Sequence, residues 1–129
     1  MGARLTAIPG ASDTFLGSIV CYANSVKCDV LGVSNHILES DGAVSEAAAL
    51  ALATGARSLL GCDIAVAITG IAGPGGGTEE KPVGTVCFSW VGPGFDETRR
   101  LHLRGDRERI RALSVGIALN RIRRWLNER

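Results

Sequence analysis

The residues equipped for chemistry fall in two places. The first is Thr69-Gly70-Ile71-Ala72-Gly73-Pro74-Gly75-Gly76-Gly77-Thr78, which follows the apolar run Asp63–Ile68. A buried strand that ends in Thr-Gly and runs into glycines brings backbone N–H groups close to a ligand with no side chains in the way. No Gly-Lys-Ser/Thr ending follows and no helix opens after the glycines, so this is neither a Walker loop nor a dinucleotide fingerprint. Composition alone reads equally well as a flexible surface loop. The second place holds Tyr22, the only tyrosine, and Lys27, set in the weakly polar stretch Ser25-Val26-Lys27-Cys28-Asp29-Val30. Burial disfavours the charged form of a lysine, which suits a base. A lysine base with a tyrosine relay serves a serine nucleophile. A snorkelling surface lysine is the competing reading. No serine stands out, since the chain has no Gly-x-Ser-x-Gly and no Ser-x-x-Lys.

Arg107 is a third candidate. It follows Asp106 at the start of the last helix, where a cation opposes the helix dipole, so its place there suggests a nearby anion. The cysteines Cys21, Cys28, Cys62 and Cys87 form no Cys-x-x-Cys pair, and His36 and His102 stand alone. No metal site is expected from that spacing. Unpaired cysteines of this kind suit reduced thiols in a cytoplasmic protein.

These residues need elements to hold them. Residues 14–23 are apolar and β-branched, and read as a strand buried on both faces, after a turn at Pro9-Gly10-Ala11-Ser12. A short helix is predicted over 24–31 with Asn24 as N-cap and Gly32 as stop, and a further helical turn over 35–40. From Ser45 to about Leu60 an alanine-rich helix is predicted, capped by Ser45 and ended by Gly61, with Ala48, Leu52, Ala56 and Leu59 inward. Strands are expected at 63–68, 83–91 and 97–103, the last two as a hairpin about Gly92-Pro93-Gly94. A final helix starts at Asp106, with Val115, Leu119, Ile122 and Leu126 on its buried face. Strands alternating with helices imply an α/β/α layered fold with a mixed sheet.

Composition bounds the function. The 129 residues suffice for one domain, and at 46% hydrophobic and 21% charged they can build a core. Ten of the twelve arginines lie between Arg99 and Arg129, yet the net charge is only +1. With few aromatics interleaved, no nucleic-acid partner is expected. No apolar run reaches the length of a membrane span, and the N-terminus lacks the pattern of a signal peptide.

Several blocks together resemble a known family. They are Pro9-Gly10-Ala11-Ser12 with Phe15-Leu16-Gly17, then Tyr22-Ala23-Asn24-x-x-Lys27, then Gly42-Ala43-Val44-Ser45-Glu46. Thr69-Gly70-Ile71-Ala72-Gly73-Pro74-Gly75-Gly76, Lys81-Pro82-Val83-Gly84-Thr85-Val86 and Gly105-Asp106-Arg107 complete the set. The chain resembles the C-terminal domain of the competence/damage-inducible protein CinA, the nicotinamide-nucleotide amidohydrolase family, from Leu5 into the last helix. The resemblance implies a three-layer α/β/α sandwich with a five-stranded, mixed and mostly parallel sheet. It implies hydrolysis of the carboxamide of nicotinamide mononucleotide to nicotinate mononucleotide and ammonia, with no cofactor. Lys27 and Tyr22 match the family's assisting residues. Ser12, Thr69, Gly70, Ala72, Gly73, Gly75 and Gly76 match the lining of its nucleotide pocket, and Arg107 matches a phosphate partner.

The family's nucleophilic serine lies in Glu-Ser-Cys-Thr-Gly-Gly, after a first strand and before the helix that Gly2-Ala3-Arg4-Leu5-Thr6 matches. The 129 residues are therefore expected to form one domain without that strand and without the attacking hydroxyl. A non-catalytic nucleotide-binding or regulatory module is the alternative. The partner expected is a small nucleotide, and a homo-oligomer is compatible with the sequence.

Overall fold

The computed structural model describes all residues, Met1–Arg129. In chain order the elements are α1 (Gly2–Thr6), a 3-10 turn (Ala11–Asp13), α2 (Asn24–Leu31), α3 (Asn35–Ser40) and α4 (Glu46–Leu60). Then come β1 (Ala65–Gly70), β2 (Thr85–Gly92), β3 (Phe95–His102) and α5 (Arg107–Asn127). No helix is long and apolar enough to cross a membrane.

The helix boundaries follow local chemistry. Ser45 Oγ accepts the Ala48 N–H at 3.1 Å, and Asp106 Oδ1 accepts the Arg109 N–H at 2.8 Å, so each caps its helix as expected. Gly32 and Gly61 end α2 and α4 in the left-handed conformation. Asn24 is not a cap; it is the first residue of α2, and Ala23 holds the N-cap position with no side-chain bond.

The sheet is the main correction. Its three strands run in the order β1-β2-β3, and both pairs are antiparallel, not mixed and mostly parallel. The reason lies in residues 14–23. They are extended but pair with nothing, and no backbone hydrogen bond involves Leu16 through Cys21. They are not buried on both faces either. Ile19 and Cys21 pack toward Leu31, Val33 and Leu52, whereas Val20 is 83% exposed. Ala67 of β1 joins that same cluster. The two extended stretches thus share one apolar cluster and exchange no hydrogen bond. β1 therefore keeps one free edge.

β2 is the centre of the molecule, and every one of its residues is buried. Val86, Phe88 and Trp90 pack against Ile110 and Ala118 of α5, and the Trp90 indole donates to the Ala118 carbonyl at 3.0 Å. On α4 the small residues Ala48, Ala49 and Ala53 are fully buried, which lets that helix lie close on the sheet. Leu59 is 58% exposed, so the inward stripe of α4 ends earlier than its periodicity suggests. On α5 the buried positions are Ile110, Ser114 and Ala118, while Leu126 faces solvent. All four cysteines are free thiols, and burial pushes the Cys87 thiol up from its ordinary value.

Candidate active site

Lys27 is positioned by a close helix crossing. α2 lies on α4 at Gly55, where a Cβ would stand 2.1 Å from the Leu31 carbonyl oxygen, so only glycine admits the contact. That crossing buries Lys27 to 7% exposure. Its Nζ donates to the Tyr22 carbonyl at 2.9 Å, and no carboxylate lies within ion-pair distance of it. The side chain is thus enclosed, with a single neutral partner. The snorkelling reading does not describe this side chain.

Tyr22 and Lys27 come together, but through the tyrosine backbone. The Tyr22 ring is 84% exposed and its hydroxyl meets no protein group. Ser12 lies on the 3-10 turn, exposed, and its side chain makes no hydrogen bond to any other candidate.

The glycine loop is shaped from outside. β1 extends two residues past its expected end, so Thr69 and Gly70 belong to the strand, opposite Cys87 and Val86. Thr69 Oγ1 donates to the Ala43 carbonyl at 2.7 Å, which ties the strand end to the segment before α4. At the far end, the Gly84 N–H donates to the Ile71 carbonyl, and the Gly84 carbonyl accepts the Leu103 N–H, each at 2.7 Å. Gly84 has φ +96°, and a Cβ there would meet the Leu103 carbonyl, so no other residue closes the loop this way. Between these anchors run Ala72, the cis Gly73–Pro74 peptide, Gly75 and Gly76.

Arg107 reaches back to the same loop, and its Nη1 donates to the Gly73 carbonyl at 3.0 Å. A peptide oxygen of the loop is thus the hydrogen-bond partner of Arg107 at this helix start. Lys81 plays a similar part, donating its Nζ to the Asp41 carbonyl. Its block, Lys81-Pro82-Val83-Gly84, was the sequence signal for it, though its partner was not readable there. A cavity of about 390 Å³ beside Gly70 and Ala72 is also lined by Met1, Arg4 and Arg111, which the sequence did not single out.

Comparison with known proteins identifies the family and the fold. The sequence profile of the CinA C-terminal domain matches residues 1–126. A CinA-like protein of Mycolicibacterium paratuberculosis is 52% identical over 133 residues, covering 99% of this chain and 31% of that protein. A CinA-like protein of a Synechococcus strain is 54% identical over 125 residues, covering 95% of this chain and 30% of its own length. The chain therefore spans about a third of the curated relatives it matches. A CinA superfamily protein crystallised from Klebsiella pneumoniae superposes with a TM-score of 0.94 at 36% identity, over 99% of this chain and 80% of that one. The competence/damage-inducible protein CihA from Agrobacterium tumefaciens gives 0.91 at 39% identity, over 94% and 74%. On the profile match across nearly its whole length, this chain belongs to the CinA C-terminal domain family.

Proposed function

We propose that this domain hydrolyses the carboxamide of nicotinamide mononucleotide, releasing ammonia and nicotinate mononucleotide. The observation that carries the reading is the Lys27 amine, buried, bonded to a carbonyl and facing no carboxylate. Such a group is suited to move a proton, and the family resemblance supplies the reaction in which a lysine does so.

In this reading the attacking hydroxyl belongs to a serine on a strand that pairs with the free edge of β1. The lysine takes the serine proton as the oxygen attacks the carboxamide carbon. The C–N bond then breaks, and the nitrogen leaves as ammonia with that proton. Water cleaves the resulting acyl-serine ester, giving the carboxylate and restoring the hydroxyl. Splitting the hydrolysis in two lowers the barrier of each step. Thr69 and Gly70 hold the start of the loop that meets the nucleotide, with Gly75 and Gly76 exposed along it. Arg107 fixes the shape of that loop through Gly73. Tyr22 contributes its carbonyl to hold the Lys27 amine.

The test is ammonia release from nicotinamide mononucleotide by the domain joined to the serine-bearing strand. Lys27→Ala should lower turnover by about 10²–10⁴-fold, the usual worth of general-base help, with far less effect on substrate affinity. Near-full turnover in that variant would remove Lys27 from the mechanism. Tight binding of the nucleotide without any ammonia release would favour the non-catalytic binding module instead.

A further inference from the structure

We propose that Lys81 is a positioning residue for the glycine loop: by tying the returning leg of the loop to the segment before α4, it holds the loop ready for its ligand. The inference deepens the reading of this loop as the one that meets the nucleotide, and rests on it.

Three observations lead to it. First, the segment Asp41-Gly42-Ala43 is tied to both ends of the loop. Thr69 Oγ1 donates to the Ala43 carbonyl at 2.7 Å where the loop begins, and Lys81 Nζ donates to the Asp41 carbonyl where it returns. The carbonyl between them, that of Gly42, accepts Ser45 Oγ at 2.8 Å, and the same Ser45 oxygen caps α4. The segment is therefore fixed to α4, and Lys81 extends that fixed frame to the loop. Second, glycine leaves room for the contact. Gly42 has φ +84°, and a Cβ there would stand 3.3 Å from the Lys81 amine. Third, the two legs of the loop are packed on each other, so holding one holds both. A Cβ at Gly73 would stand 2.6 Å from Val83 Cγ1, and one at Gly77 would stand 2.7 Å from the Val83 nitrogen. Thr78 and Lys81 close the turn between the legs. The Thr78 N–H donates to the Lys81 carbonyl at 2.9 Å, and the Lys81 N–H donates to Thr78 Oγ1 at 3.0 Å.

Residues 74–80 are exposed, so burial does little to order them and the cross-ties must. Arg100 of β3 holds the Glu80 carbonyl at 2.8 Å, which keeps the loss of Lys81 partial. A ligand that binds only the ordered loop loses affinity in proportion to the fraction of molecules that keep it ordered.

The experiment uses Lys81→Met, which removes the donor, Lys81→Arg, which keeps one, and Glu79→Gln as a control in the same turn. Hydrogen exchange of the free 129-residue chain and calorimetry with nicotinamide mononucleotide are read on each. Turnover is read on the same variants of the domain joined to the serine-bearing strand. Lys81→Met should speed exchange of the Thr78 and Gly84 amides and weaken nucleotide binding about tenfold. In the joined form KM should rise about tenfold while kcat stays within about twofold. Lys81→Arg should recover most of each loss, and Glu79→Gln should change nothing. A lower melting temperature with unchanged affinity would make Lys81 a structural tie only and overturn the proposal. Faster exchange without weaker binding, or a fall in kcat at constant KM, would overturn it too and leave the nucleotide reading standing. If the unaltered chain bound no nucleotide, the nucleotide reading itself would fall, and the positioning role with it.

Discussion

Two extended stretches of this molecule have similar apolar character and opposite fates. β2, Thr85–Gly92, has a strand on each side and a helix on each face, and all of its residues are buried. Residues 14–23 have one apolar cluster beneath them and no strand beside them; Val20 and Tyr22 stand in solvent. The difference lies in partners. A β-branched, apolar sequence states that a stretch can be buried, and only its neighbours decide whether it is. The unpaired stretch also leads directly into α2, so the least supported extended part of the molecule adjoins the buried Lys27.

The largest effect should come from giving residues 14–23 what β2 already has. Joining a strand that ends in Glu-Ser-Cys-Thr-Gly-Gly ahead of Met1 should turn an absence of ammonia release into measurable turnover, and should raise the melting temperature. Both follow if the strand pairs with β1 and supplies the hydroxyl. Equal activity in the 129-residue and extended forms would sink the idea, and would move the nucleophile to a serine within the chain, with Ser12 or Ser25 nearest.

The next effect concerns β2. Trp90 stacks on Phe88 with ring centroids 5.6 Å apart and bonds to the Ala118 carbonyl. Trp90→Ala should cost about 3–5 kcal/mol, a large share of a typical domain's stability, as read from the urea midpoint. A loss below about 1 kcal/mol would mean that β2 does not anchor the core. The smallest effect is expected at Val20. Val20→Thr should change stability by less than about 0.5 kcal/mol in the 129-residue chain, because the side chain is already in water. In the extended form the same change should cost more, and a difference between the two backgrounds would locate the inserted strand.

How much of this was readable in the sequence follows from the same contrast. Ser45, Gly61 and Asp106 mark helix ends through bonds within a few residues, so they were legible. The β2–β3 hairpin was legible from Gly92-Pro93-Gly94 for the same reason. Residues 14–23 were not, because pairing is a property of two stretches and the sequence shows one at a time. The α5 stripe was misread because small residues, Ser114 and Ala118, pack closest to the sheet while larger ones splay outward. At the site, the family blocks singled out Lys27 and the glycine loop as candidates, and the burial of Lys27 and the close crossing at Gly55 were not readable there. The Arg107 contact to Gly73 and the Lys81 contact to Asp41 depend on long-range folding, and no local spacing records them.

Gly84 has a consequence for how the site can vary through descent. Its two hydrogen bonds join Ile71, at the start of the loop, to Leu103, on the approach to α5. The loop is therefore closed at its base by the sheet and the helix, while Gly75 at the tip has no neighbour within contact range of a Cβ. Changes in tip length or composition need not disturb that base. Ligand preference is free to drift at the tip while the base is held constant, and a family built on this plan can accept new ligands without refolding its core.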